Sequence, residues 1–208
     1  MIQAIRNFIV RRTFAYKLRN RAMNMFSSFE NFKAIRKKAE ENRVAEGRKH
    51  KVLYFHKVDD PYSHLTVHYI EKFKNAYDVE FKPVLVGEED PAALHEPSLY
   101  TDYCLEDVKR IAPYYGVDFP GTSYPEKNLV KKANSILSSV SSEEFASLAK
   151  TVSHALWSAD SAKLEELETT YKTSEEGVLE NLRKGNEIRN DCDYYFGSAF
   201  YYEKELYW

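Results

Sequence analysis

The chain has 208 residues, of which 43% are apolar and 14% aromatic, including sixteen tyrosines. This composition excludes an intrinsically disordered protein and supplies enough apolar residues for a substantial hydrophobic core. The formal net charge of −2 gives the chain as a whole no nucleic-acid signature, so we expect no nucleic-acid partner.

The N-terminal quarter is basic, whereas the remainder is acidic. Residues 1–50 hold 13 Lys+Arg against 4 Asp+Glu, and residues 51–208 hold 17 against 28. The spacing of apolar residues predicts helix over much of 2–46, with one apolar face: Leu18, Ala22, Met25, Phe29 and Phe32. Three roles are open for residues 1–30: docking on the chain's own domain or on a protein partner, lying on an anionic membrane surface, or mitochondrial-type targeting.

The segment KVLYFHKVDDPYSHLTVHYIEKF (51–73) joins a predicted strand to a predicted helix. VLYFHKV (52–58) is the buried strand, and Pro61 suits the first helical position with Asp60 before it as the N-cap. A second strand, VEFKPVLV (79–86), follows. The helix between them would present one apolar face: Leu65, Tyr69, Phe73 and Ala76. This order predicts a βαβ unit with parallel strands.

Helices are predicted for most of the chain between the second strand and the C-terminal region. They cover five stretches: 101–115, 125–140, a stretch beginning after Ser141, 161–172 and 175–189. Gly116 is a natural C-cap for the first of these helices. Ser141 and Glu144 have the spacing of a capping box at the start of the third.

SAFYYEKELYW (198–208) predicts a strand, a tight turn near Glu203 and Lys204, and the start of another strand. We expect the natural protein to continue beyond Trp208, because a hairpin strand this short is an awkward end.

The two cysteines, Cys104 and Cys192, form neither a C-x-x-C pair nor a zinc-binding pattern. A disulfide between them is open, but free thiols in a reducing compartment are expected. No segment has the roughly 18 consecutive apolar residues of a membrane span. The N-terminus lacks the uninterrupted apolar region of a secretory signal. We expect a cytoplasmic protein, with peripheral membrane contact open.

The order βαβ, helices and β-hairpin resembles the thioredoxin fold interrupted by a helical domain. YFHKVDDPYSHL (54–65) resembles the first active-site corner of its DsbA-like branch. It looks closest to 2-hydroxychromene-2-carboxylate isomerases and kappa-class glutathione transferases, whose corner reads roughly Asp-x-x-Ser-Pro-Tyr-Ser-Tyr-Leu. VKRIAPYYGVDFP (108–120) is similar to that family's helix ending in Tyr-Gly, and FGSAFYYEKELYW (196–208) to its penultimate hairpin.

The resemblance implies an α/β, thioredoxin-like fold with an inserted helical domain and an N-terminal helical extension. It divides the chain into four parts: a basic amphipathic extension (1–50), the thioredoxin-like βαβ part (51–90), the helical insert (91–190) and a truncated thioredoxin-like hairpin (191–208).

The corner departs from the family's pattern. Asp60 stands where members have Ser, or Cys in the redox branch, and Ser63 stands where that branch has its second Cys. Dithiol exchange is excluded at this corner because no sulfur is present to form a mixed disulfide. The cis-proline that usually opens the hairpin strand is replaced by Ser198, or by Ala199 with a shift of one residue.

The resemblance implies a site at this corner. Its catalytic residues would be Asp60, Tyr62 and Ser63, and its glutathione contacts would be Pro61, Gly197, Ser198 and Ala199. Asp60 would be a general base if its pKa were raised, or only a helix cap. It would also repel a thiolate and raise the pKa of that thiol. Tyr62 would place its hydroxyl in the cleft or pack as an aromatic ring, and Ser63 would bind a ligand or only satisfy the backbone.

The histidines have structural and functional interpretations. His56 on the first strand is expected to be a hydrogen-bonded interior histidine. His64 and His68 have metal-ligand spacing, but no third ligand is evident, so no metal is predicted. His154 and Trp157 would line a substrate pocket between the two domains or pack in the core.

Two functions remain open. The first is an isomerase or glutathione-transferase-like enzyme that binds glutathione, an aromatic acid or another aromatic or thiol ligand, with a homodimer open. The second is a non-catalytic binding or assembly module, such as one half of a tandem protein. A continuous cleft on which Asp60, Tyr62 and Ser198 converge favours the enzyme. A cleft filled by side chains or by the N-terminal helix favours the module.

Overall fold

The computed structural model describes residues 14–87, 94 and 96–208. The part of the predicted N-terminal helix before residue 14 lies outside this range, and so does most of the segment that follows the second strand. The chain divides into two compact units, Met1–Lys49 and His50–Trp208.

The described part of the first unit, residues 14–49, contains two helices, α1 (Phe14–Phe26) and α2 (Phe29–Ala45). The predicted helical character is confirmed for these residues, but the predicted single apolar face is wrong because it crosses a break. Ser28 starts α2 as its N-cap, and its Oγ accepts a hydrogen bond of 3.2 Å from the amide of Asn31. The Ser27 hydroxyl bonds to a carbonyl oxygen of the preceding turn, 2.8 Å away.

The second unit is built on a four-stranded sheet with the order β2-β1-β3-β4. Its strands are β1 (Lys51–His56), β2 (Glu80–Leu85), β3 (Ala199–Tyr202) and β4 (Glu205–Tyr207). Strand β2 is parallel to β1, so the predicted βαβ unit is confirmed. Strand β3 is antiparallel to β1 on its other side, which brings the C-terminal hairpin beside the first strand.

The connection between β1 and β2 is two short helices, α3 (Pro61–Val67) and α4 (Ile70–Ala76). The predicted continuous helix is therefore wrong. The Thr66 hydroxyl donates to the carbonyl oxygen of Tyr62 at 3.0 Å, and such bonding to the preceding turn bends helices. At the break, the backbone amide of Tyr69 donates a hydrogen bond of 2.9 Å to the Thr66 carbonyl oxygen, three residues back.

Five helices lie between β2 and β3 in the described part of the chain. They are α5 (Pro97–Ile111), α6 (Lys127–Ser138), α7 (Ser142–Trp157), α8 (Ser161–Thr170) and α9 (Glu175–Asp191). A 3₁₀ turn after α5 ends at Gly116 with φ 63°, as predicted for a C-cap. The capping box of Ser141 and Glu144 is confirmed at the start of α7.

The hairpin is confirmed as well. Its turn places Glu203 at φ 44° and Lys204 at φ 70°. Positive φ at both central residues is the requirement of the type I′ turn, whose twist matches that of the flanking strands.

The sheet separates two apolar clusters, because neighbouring residues of a strand point to opposite faces. One cluster contains Tyr54 and extends into α6, α7 and α8. The other contains Phe55 and is covered by residues of α9 and the segment before β3. Helix α9 packs directly on β2 at Gly185, where an added side-chain carbon would lie 1.7 Å from the Leu85 carbonyl oxygen.

Both cysteines are free thiols, Cys104 buried and Cys192 partly buried. None of the helices described is long and apolar enough to cross a membrane.

Candidate functional site

The corner between β1 and α3 is organised around Asp60. Asp60 is the N-cap of α3 with extended backbone geometry, and Pro61 occupies the first helical position. The Asp60 carboxylate oxygen Oδ2 accepts a hydrogen bond of 2.7 Å from the Ser63 amide. The helix-capping role predicted for Asp60 is therefore confirmed.

The segment that opens β3 contacts the same carboxylate. The Ser198 amide donates to Asp60 Oδ2 at 3.3 Å. A side-chain carbon at Gly197 would lie 2.9 Å from the Asp60 Cβ, so glycine permits this close approach. Ser198 faces the corner where the family has its cis-proline, but the described residues contain no cis peptide bond. A proline there would also have no amide hydrogen to donate.

Hydroxyl groups extend this contact along α3. The Ser198 Oγ lies 2.7 Å from the Thr66 Oγ1. Thr66 donates its single hydroxyl proton to the Tyr62 carbonyl, so Ser198 is the donor in the bond between the two hydroxyls. Sequence reasoning missed Thr66, whose role depends on where the hairpin meets the helix.

Asp60, Tyr62 and Ser198 line one cavity of about 690 Å³, together with Gly197 and Ala199. Nine of the sixteen lining residues are aromatic, and Asp60 is the one charged residue among them in the described chain. The cavity is within the range of sites for small molecules, which are mostly apolar with a few placed polar groups.

Two predicted site residues do not reach the cavity. Ser63 is fully buried, and its Oγ accepts a hydrogen bond of 3.3 Å from the Lys57 amide. It therefore holds the turn together, which is the structural alternative that the sequence left open. Pro61 is buried as the first residue of α3.

Tyr62 lies at the wall of the cavity, where its hydroxyl donates to an Asp107 carboxylate oxygen at 2.8 Å. Burial and this hydrogen bond raise the pKa of Tyr62. Its hydroxyl therefore keeps its proton and directs it towards Asp107. Tyr62 therefore lines the cavity while its hydroxyl proton points to Asp107.

Asp60 is only partly exposed. Burial raises the pKa of its carboxyl group above the ordinary value, while hydrogen bonds from Ser63, the charge of Lys57 and the Ser198 amide act in the opposite direction. A carboxyl group with a raised pKa is a better proton acceptor once ionised. This is the condition under which the sequence predicted a general base.

A second polar cluster lies on the buried side of α3. The two ring nitrogens of His64 lie 2.9 Å from the Ser153 hydroxyl and 2.9 Å from the Asp118 carbonyl oxygen. His68 lies beside it, with ring centroids 5.0 Å apart. The described residues contain no group of three or more His, Cys, Asp or Glu that could hold a metal ion.

The prediction that His56 is a hydrogen-bonded interior histidine is confirmed for one of its two ring nitrogens. His56 is 1% exposed, and its Nδ1 lies 3.0 Å from the Tyr54 hydroxyl, but its Nε2 has no hydrogen-bond partner among the described residues. It is therefore an interior histidine that is only half satisfied. Trp157 packs in the core against Phe119, whereas His154 is half-exposed near Asp118, so this pair does not line the cavity.

The aromatic wall was also missed by sequence reasoning. Tyr194 and Phe196 come from the DYYF run (193–196) before β3, and Tyr100 stacks on Phe196 from α5 with centroids 5.3 Å apart. The run itself was the signal available in the sequence. Its contact with Tyr100 depends on tertiary structure.

No family model and no curated protein matches this chain in sequence. Among solved structures, it is similar to a 2-hydroxychromene-2-carboxylate isomerase, with 14% identity and a TM-score of 0.53. The match covers 76% of this chain and 88% of the isomerase chain. At this identity the likeness shows the fold alone. The chain has a thioredoxin-like fold with helices inserted between its βαβ unit and its C-terminal hairpin.

Proposed function

We propose that this protein is an isomerase- or transferase-like enzyme that binds an aromatic small molecule in the corner cavity, with Asp60 as general base. One observation carries the proposal: Asp60, Tyr62 and Ser198 converge on a single open, largely aromatic cavity. The raised pKa of Asp60 and the two amides that hold its Oδ2 supply a positioned proton acceptor. The name of the structural neighbour motivates the reaction class.

Glutathione is proposed as the thiol ligand. A thiolate beside the Asp60 carboxylate would be repelled, so glutathione would bind as the protonated thiol, with its S–H donating a hydrogen bond to Asp60. Dithiol exchange is no part of the proposal, because neither Asp60 nor Ser63 carries sulfur.

The proposal is tested by titrating ¹⁵N-labelled protein with 2-phenylethanol and, separately, with reduced glutathione, followed by NMR. Binding at the corner is expected to shift the amide signals of Ser63 and Ser198, since both amides contact Asp60. Ile111→Trp should weaken binding about tenfold or more, because Ile111 lines the cavity and an indole would occupy it. Leu99→Trp is the matched control, since Leu99 is exposed on the same helix.

Binding of either compound with this pattern supports the site, and binding of glutathione supports the thiol ligand. Absence of binding by both compounds would contradict the proposal. That outcome would favour a non-catalytic module, whose supporting observation is that Asp60 already has a structural role as the cap of α3.

A further inference from the structure

Several polar side chains that line the corner cavity donate their hydroxyl protons to other protein atoms. Tyr62 donates to Asp107 at 2.8 Å and Tyr194 donates to the Ser198 carbonyl at 3.3 Å. Tyr69 donates to the Tyr115 carbonyl. These hydroxyls leave oxygen lone pairs, rather than O–H groups, for a ligand.

The Ser198 and Thr66 hydroxyls follow the same rule. Thr66 donates to the Tyr62 carbonyl at 3.0 Å, and Ser198 donates to Thr66 at 2.7 Å. Asp60 adds a carboxylate, which in its ionised form is an acceptor only. These groups therefore supply hydrogen-bond acceptors to the cavity, whose lining also contains donors such as the Trp208 indole N–H.

The charged residues around the cavity also favour a positively charged ligand. None of its lining residues within the described chain is Lys, Arg or His. Two cations lie behind the wall: Lys57 near Asp60, and Arg189, which is 2% exposed and donates to the Phe196 carbonyl. Both temper the negative potential without presenting a donor from the cavity lining.

The aromatic rings add a second source of attraction for positive charge. Tyr100 and Phe196 stack with centroids 5.3 Å apart, and the Tyr194 ring meets Phe196 edge-on at 6.2 Å. The faces of such rings attract ammonium groups, most strongly where water is excluded.

We infer that the cavity selects an organic ammonium ligand with an aromatic body, the ammonium facing Asp60. This inference rests on the proposed function, because it names the ligand class of the same cavity. A carboxylate on the ligand would find acceptors and no cation on the cavity wall. Bound glutathione would therefore keep its two carboxylates outside.

The test compares three ligands that share a phenyl ring on a two-carbon chain: 2-phenylethylammonium, 2-phenylethanol and 3-phenylpropanoate. Their dissociation constants are measured at pH 7 by the amide shifts of Ser63 and Ser198. The ammonium is expected to bind about five- to tenfold more tightly than the alcohol, and the carboxylate more weakly than the alcohol.

Two variants separate the charge of Asp60 from its shape. Asp60→Asn should reduce ammonium affinity about five- to tenfold and change the affinity for the alcohol by less than about twofold. Asp102→Asn, at an exposed position of α5, is the matched control and should leave all three constants unchanged.

An ammonium that binds no more tightly than the alcohol overturns the inference, as does a carboxylate that binds best. Ammonium binding that survives Asp60→Asn also overturns it. Each of these results leaves the cavity as a binding site. If none of the three ligands binds, the proposed function itself is contradicted.

Discussion

Helix α3 carries two polar clusters that differ in how they face their surroundings. On its buried side, both ring nitrogens of His64 lie within hydrogen-bond distance of protein atoms, Ser153 and Asp118. At its N-terminus, Asp60 is held by two amides but opens on a cavity. The first arrangement is what a core requires of a buried polar group. The second leaves a carboxylate in an environment that raises its pKa, which costs stability and suits a binding site.

The largest expected effect is on acid stability, and it concerns His56, a buried histidine of β1. Burial and the neighbouring His64 lower the pKa of His56 to about 3. The unfolded chain protonates this histidine near its ordinary pKa of 6.5, whereas the folded protein does not. The contribution of His56 is therefore fully present above pH 6.5. It falls by about 1.4 kcal/mol per pH unit as the pH drops from there towards 3.

Urea unfolding at pH 7, 6, 5 and 4 measures this effect. His56→Leu should reduce the fall in unfolding free energy by about 1 kcal/mol per pH unit. Tyr54→Phe is the matched control, because it removes the hydroxyl that contacts His56 Nδ1 and keeps the imidazole. An unchanged slope in His56→Leu would show that other groups dominate the acid response.

The next effect tests the polar cluster around His64 on the buried side of α3. His64→Ala should lower the unfolding free energy by about 2–4 kcal/mol, since it leaves the Ser153 hydroxyl and the Asp118 carbonyl without their partner and creates a cavity. His154→Ala, a half-exposed position near the same Asp118, should change it by less than about 0.5 kcal/mol. Equal losses in both variants would refute the assignment of His64 to the core.

The smallest effect sharpens the contrast at Asp60. A folded-state pKa above the unfolded one means that stability from the bound proton is present at low pH and lost as the pH rises through the folded pKa. Ionisation of the Asp60 side chain is therefore less favourable in the folded protein than in the unfolded chain. Asp60→Asn keeps the cap and should raise the unfolding free energy by about 0.5–1 kcal/mol, with the gain shrinking towards pH 3.

Asp60→Ala is the comparison variant for this prediction. It loses the cap and should lower the unfolding free energy by about 1 kcal/mol relative to Asp60→Asn. If Asp60→Asn destabilises the protein at pH 7 as much as Asp60→Ala does, the charge is structural. The contrast between the His64 cluster and Asp60 would then fail.

The sequence by itself determined the features that depend on neighbouring residues. Apolar runs and turn residues located β1, β2 and the hairpin, and the pair Asp60-Pro61 located the start of α3. The capping box at Ser141 was equally readable. These signals succeed because apolar runs, caps and turns are features of a few neighbouring residues.

Only the tertiary structure decided which residues share the site. Ser63 looked as available as Tyr62, yet its hydroxyl turns inward to the Lys57 amide while Tyr62 reaches the cavity wall. Thr66 joined the site only because Ser198, 132 residues away in sequence, lies against it. The opposite surroundings of His64 and Asp60 have the same origin. They depend on long-range packing, which brings together residues that sequence spacing leaves far apart.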